Sequence, residues 1–196
     1  MSPPRPGSDS TRPQTVAEAR AEVEARRSEV KAQRRASIAA AFPGPVPGRV
    51  TIVVSWVATG VQLITTVFAA IDPDRFIGPF FGVMVIWFGL GTALFVVDLV
   101  LAAARSRDDA MGIGGLFFLA GSAPPTAQRN LLASLILSTV AAVVGAAVRP
   151  FTPLAFGVLA PMLPLALCGW WAVRHGRFPP TAPEPEPSRR GAPRSR

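Results

Sequence analysis

The chain is poor in the residues that most often carry chemistry. Its 196 residues include one cysteine, Cys168, and one histidine, His175. A lone cysteine closes no internal disulfide, so no redox compartment can be read from it. One cysteine and one histidine cannot form a zinc site of the usual Cys/His kind. A Gly-rich phosphate loop, a Ser/His/Asp set, a CxxC pair and a zinc-binding helix motif are all missing. His175 lies outside the apolar runs, which speaks against a haem held by axial ligands within them. Charged residues make up 16% of the chain, against about 25% in an ordinary soluble domain. No enzyme activity, metal or cofactor is expected.

What the chain does have is apolar. Hydrophobic residues make up 49%, with a mean hydropathy of +0.36. That composition excludes disordered, collagen-like and disulfide-stapled classes for the chain as a whole. The apolar residues gather in four blocks, at 50–71, 79–104, 131–148 and 153–173, with Asp98 the only charge among them. A helix needs roughly 20 apolar residues to cross a bilayer core about 30 Å thick, and each block fits. Buried helices of a soluble protein would need an amphipathic shell, and these blocks leave none. The expected fold class is therefore all-α: a membrane protein with four transmembrane helices, preceded by a charged cytoplasmic helix and carrying disordered termini. The first block begins only at Val50, after Pro-rich polar residues. That pattern does not fit a cleaved signal peptide, so the first span is expected to remain.

Basic residues set the orientation. The segment before the first block, the loop after the second and the tail after the fourth hold 18 of the 20, leaving Arg75 and Arg149 for the other two loops. Basic flanks stay on the cytoplasmic side. Both termini are thus expected inside, in the cell membrane. The isoelectric point near 11.6 follows from this topology and calls for no nucleic-acid partner. The expected partners are the bilayer with its anionic inner-leaflet lipid, and other membrane proteins or further copies of the chain.

The segment before the membrane divides in two. Residues 1–14 read as a disordered tail. Residues 15–41 read as a helix, with Thr15 and Glu18 as a capping box and Glu22 and Arg26 as an i,i+4 pair. Val16, Val23 and Val30 repeat every seven residues, but no sustained second apolar row accompanies them. A solvated charged helix is the preferred reading, with a dimer seam as the alternative. Arg26, Arg27, Lys31, Arg34 and Arg35 form a basic cluster expected to face anionic lipid. Pro43, Pro45 and Pro47 break the helix before the first span.

The loop at 111–121 is apolar but too short to span. It reads as an interfacial segment anchored by Phe117 and Phe118, with a re-entrant loop as the alternative. Residues 174–196, rich in Pro and Arg, read as a disordered tail, either a solvated end or bait for a partner domain.

Within the spans, Asp98 is the candidate functional residue, because intramembrane carboxylates are costly. It lies about 9 Å from the end of its block. Arg105, seven residues on, shares its face and is expected to snorkel back toward it. Asp98 therefore reads either as paired with Arg105 or a neighbouring helix, or as a proton or cation site. Gln62 lies mid-span with Ser55, Thr59 and Thr66 on one side. Ser134, Ser138, Ala142 and Ala146 form a small-residue row in the third block. Helix packing is the preferred reading of both, with a polar path as the alternative. Pro161 and Pro164 predict a kink in the fourth helix, and broken helices also mark transporter binding sites. Trp170 and Trp171 read as interfacial anchors. Asp72 and Asp74 read as a turn between helices rather than a divalent-ion site.

Three stretches carry a resemblance: LFFLAGSAPP at 116–125, AVRPFTPLAFGVLAP at 147–161 and GWWAVRHGRFPP at 169–180. With the 19 arginines against a single lysine, they resemble small multi-pass integral membrane proteins common in actinobacteria. The resemblance implies the membrane location and the four-helix architecture. It carries over no catalytic residue. The expected function is a non-catalytic scaffold or accessory subunit of a cell-envelope complex. The alternative is a small oligomeric carrier or channel using Asp98 and the Pro-kinked fourth helix.

Overall fold

The computed structural model describes residues 16–107, 109–148 and 150–180. The expected tail at 1–14, the capping residue Thr15 and residues 181–196 lie outside the described residues. The tail expected from 174 is ordered over its first part: α6 runs to His175, and the chain then packs back on the bundle through Phe178, with the Arg177 amide donating to the Ser122 carbonyl. In chain order the elements are α1 (Val16–Ala41), α2 (Arg49–Ile71), α3 (Pro73–Arg105), the short α4 (Ile113–Phe117), α5 (Pro125–Val148), a 3₁₀ helix (Pro153–Leu159) and α6 (Met162–His175). Every one is a helix. Among the described residues the only β-type pairing is an isolated bridge between Asp109 and Pro180. Among the described residues four segments are long and apolar enough to cross a membrane: α2, α3, α5 and the run from Pro153 to His175. The chain is a multi-pass, all-α membrane protein.

Two span starts differ from the apolar blocks, and each begins at a proline. The second span starts at Pro73 rather than at 79. Asp72 caps it by accepting a hydrogen bond from the Arg75 amide (3.3 Å), and Pro73 fills a first-turn position where no amide donor is needed. Asp72 alone forms the turn between α2 and α3, and Asp74 lies in the first turn of α3. Pro79 sits inside α3, where membrane helices tolerate proline. The third span starts at Pro125, again a proline in the first turn, followed by polar Thr126, Gln128 and Arg129. At 33 residues, α3 is about 50 Å long, so it must tilt or extend beyond the hydrocarbon core.

The fourth span is broken, and the break is a change of helix type. The 3₁₀ segment, capped by Thr152 accepting from the Leu154 amide (3.3 Å), ends at Leu159, and α6 begins at Met162. Pro161 lies just ahead of α6 and Pro164 within its first turn. Both occupy positions where a missing amide leaves no internal bond unmade. The kink is therefore relaxed rather than strained.

The α6 segment is the most enclosed of the four spans and α3 the least. The outer faces of α2, α3 and α5 expose Val57, Ile64, Val85, Val100, Val140 and Val144, a surface suited to lipid and not to water. One core cluster gathers around Trp171, Leu116, Phe117, Leu119, Leu131 and Cys168. It sits at the end of the bundle where α2 starts and α6 finishes, here termed the basic end. A second cluster at the far end joins Phe80, Met84, Leu154 and Ala160.

The contact between α3 and α6 is close at two glycines. A Cβ added to Gly91 would lie 2.6 Å from the Leu163 nitrogen and 2.7 Å from the Met162 carbonyl carbon. Those atoms are backbone and cannot swing aside. Two residues away, on the other side of the helix, Gly89 faces open space. Gly91→Ala should therefore destabilise the bundle by about 1–3 kcal/mol, the usual cost of overpacking. Gly89→Ala should leave stability unchanged or raise it through helix propensity. Thermal unfolding of the two variants in the same detergent checks this; equal midpoints would contradict the contact.

Candidate functional site

Asp98 faces inward because α3 buries a stripe of Met84, Gly91 and Asp98, spaced by seven, flanked by Phe80 and Ala102. Sevenfold spacing keeps residues on one helix face. Asp98 is fully buried, and neither carboxyl oxygen has a hydrogen-bond partner. It is received by α6 at Gly169. A Cβ there would lie 2.6 Å from Asp98 Oδ2 and 2.8 Å from Phe117 Cε1. Phe117 in turn stacks on Phe95 of α3, with ring centroids 4.8 Å apart. The carboxyl group is thus enclosed by a glycine, aromatic edges and its own helix.

Arg105 does not reach Asp98. Its Nε donates to Asp109 Oδ2 (2.8 Å), and its two Nη groups donate to the carbonyls of Val173 (2.6 Å) and Gly176 (3.2 Å). Shared helix phase brought the two residues to one face, but the C-terminal carbonyls of α6 and a nearer carboxylate compete for the guanidinium and win. A charge-assisted fork over three acceptors is worth more than reaching back into an apolar interior. Arg105 is a clamp on the end of α6, not a counter-ion to Asp98.

Gln62 also takes a definite place. Its Nε2 donates to the Ser138 carbonyl (2.9 Å), and the Ser138 hydroxyl donates to Gln62 Oε1 (2.5 Å). One turn away the Ser55 and Ser134 hydroxyls share a hydrogen bond (2.5 Å), and the Thr59 hydroxyl donates to the Ser134 carbonyl (3.3 Å). Gly145 meets the Thr66 methyl at the far end of the same seam. The two rows therefore close on each other between α2 and α5. They form a packing seam of satisfied polar groups rather than the wall of an open path.

The basic end is built from the connecting segments. The residues at 111–121 hold the short helix α4, and Leu116, Phe117 and Leu119 plug the end of the core while Ile113 and Phe118 stay exposed. Of the two expected anchors only Phe118 is exposed; Phe117 is buried. Trp171 is no interfacial anchor either. It is fully buried, and its indole donates to the Pro47 carbonyl (2.9 Å), bolting the linker before α2 onto α6. Gly48 beside it has φ 69°, and a Cβ there would lie 2.7 Å from the Trp171 ring, so both the backbone and the space require glycine. Trp170 lies under the Arg174 guanidinium at 4.2 Å.

The basic cluster of α1 divides. Arg27, Lys31 and Arg35 are exposed and spaced by four along one face. Arg26 pairs with Glu22 at 3.1 Å. Arg34 does not point at lipid: its Nε donates to the Gly121 carbonyl (2.7 Å) and its Nη2 to the Arg177 carbonyl (2.8 Å). These bonds lay the C-terminal half of α1 across the α4 segment. Gly169, Phe117 and the clamping roles of Arg34 and Arg105 escape a reading of sequence. The one signal that pointed toward the Asp98 enclosure is the spacing of seven between Gly91 and Asp98.

No family model matches the chain, and neither a curated protein nor a solved structure does.

The Gln62–Ser138 pair yields a test of the seam. Gln62→Leu and Ser138→Ala should each destabilise the solubilised protein, and a double-mutant cycle should return a coupling of about 0.6–1.7 kcal/mol, the range for hydrogen bonds between membrane helices. Additive effects would mean that the two side chains do not meet.

Proposed function

We propose that the protein is a non-catalytic scaffold or accessory subunit of a cell-envelope complex, held in the cell membrane with both termini cytoplasmic. The observation that supports this most is the closure of the α2–α5 seam, where the polar side chains available to line a path are spent on each other. The basic end offers the opposite character. The N-terminal half of α1 stands almost wholly exposed, and Val16, Val23 and Val30 are 71%, 50% and 64% exposed. An apolar row with charged neighbours on a helix outside the bundle suits a partner helix. The asymmetry of the basic residues supports the orientation.

The experiment replaces Val16, Val23 and Val30 together by Gln in the full chain. Tagged parent and variant are purified from native membranes in mild detergent, and the co-purifying proteins are identified by mass spectrometry. The expected result is one stoichiometric partner with the parent and its loss from the variant, with equal expression and membrane insertion. A variant that keeps every partner, or a parent that brings none, would overturn the reading.

A second reading rests on Asp98, whose oxygens are buried without partners. Ionisable groups inside a membrane commonly serve proton or ion paths, and this would make the chain a small oligomeric carrier or channel. The two readings part in reconstituted vesicles. The accessory reading expects no flux above protein-free vesicles from either the parent or Asp98→Asn. Proton or cation flux that appears with the parent and is abolished by Asp98→Asn would install the carrier instead.

A further inference from the structure

The basic end contains a cavity of about 350 Å³ whose wall is unlike the rest of the molecule. Arg105, Arg174, His175, Gly176 and Arg177 line it together with Phe42 and Pro47. It lies where α3 ends at Arg105, α6 ends at His175 and α2 begins at Arg49, which is the level at which the apolar spans give way to the headgroup zone.

The charges there are unbalanced in a specific way. The carboxylate of Asp109 is taken by Arg105, and Arg105 is further committed to two carbonyls of the α6 terminus. Arg105 therefore shapes the wall. The guanidiniums of Arg174 and Arg177 bond no described carboxylate or carbonyl, although Arg174 rests on the Trp170 ring. Arg177 is nonetheless held firmly at its backbone. Its amide donates to the Ser122 carbonyl (2.9 Å), and its own carbonyl accepts from Arg34 (2.8 Å). Two forked cations are thus brought to one cavity on a rigid base, with no acceptor supplied by the wall. Both side chains are exposed and line the same cavity, and a tetrahedral oxyanion has acceptors enough for both forks. Phe42 and Pro47 in the same wall suit the uncharged remainder of such a ligand. Basic pockets between membrane helices at this depth are characteristic sites for anionic headgroups.

We propose that this cavity binds a phosphate group, borne by an anionic lipid or free in solution, through Arg174 and Arg177. The site is separate from the exposed cations of α1, and the proposal does not rest on the accessory-subunit reading.

The test uses the full chain, delipidated in mild detergent and followed by native mass spectrometry. Short-chain phosphatidylglycerol, short-chain phosphatidylcholine and inorganic phosphate are titrated in turn. The expected result is a single phosphatidylglycerol adduct at one-to-one ratio, formed in preference to phosphatidylcholine. Arg174→Gln with Arg177→Gln should weaken it roughly thirtyfold, whereas Arg27→Gln, Lys31→Gln and Arg35→Gln together should not change it. An Arg174→Lys, Arg177→Lys variant, which keeps the charge and loses the fork, should fall between and guards against a fold defect in the Gln variant. Binding of phosphatidylglycerol without inorganic phosphate assigns the lipid as the source; equal binding of both assigns free phosphate. The proposal is overturned if no one-to-one adduct forms, if the Arg174/Arg177 double Gln variant binds as the parent does, or if the α1 triple variant loses binding equally.

Discussion

The approach of α3 to α6 is the contact on which the rest of the structure depends. Lipid tails are as apolar as leucine, so membrane helices gain little by burying leucine against each other. They gain by close backbone approach and by pairing polar groups. Here the approach is reciprocal. Gly91 of α3 admits the backbone of α6 at Leu163, and Gly169 of α6 admits Asp98 and Phe117. The same contact that seals the bundle is the one that buries Asp98.

From that contact the position of α6 as the central mast follows, and so do the devices at its ends. A helix gripped on several sides must be stopped cleanly. At the far end the 3₁₀ segment and the two prolines give it a start that leaves no amide stranded. At the basic end its final carbonyls are collected by Arg105, and its last tryptophan is tied to Pro47. The plug formed by α4 covers the core there, and Arg34 holds α1 across it. Cations are expected in quantity at this end for topology alone. Several of them have become mechanical parts.

This division explains what could be seen in the sequence and what could not. The four spans were legible because span length and charge exclusion are properties of composition, independent of what packs on what. The rows of Ser55, Thr59 and Gln62 and of Ser134 and Ser138 were legible because period and residue size together specify a close contact. The break at Pro161 was legible because proline lacks its amide in every context. Pairings were not. Arg105 stands at the right phase for Asp98, and only the folded chain shows that the end of α6 and Asp109 are the better acceptors. Trp171 has the composition of an interfacial anchor and is instead the most bulky fully buried side chain, since the linker at Pro47 folds over it. Phe117 was misplaced for the same reason: a short apolar loop looks alike whether it meets lipid or a core.

The distribution of satisfied and unsatisfied polar groups bears most directly on function. A path across the membrane needs polar groups that can exchange partners with a passing solute. Gln62, Ser138, Ser55 and Ser134 lie at the right depth, but each is bonded to another, and opening them would expose several buried donors and acceptors at once. Asp98 is unpartnered, yet the glycine cradle and the Phe117–Phe95 stack press on it from α6 and α4. Moving it requires α3, α4 and α6 to separate together. At the basic end, by contrast, Arg174 and Arg177 stand ready on fixed backbone without described hydrogen-bond partners, and the valine row of α1 lies open. Binding there requires no rearrangement of the bundle. The α2–α5 seam is closed in the structure, and the exposed guanidiniums of Arg174 and Arg177, without described hydrogen-bond partners, lie at the end where α6 finishes.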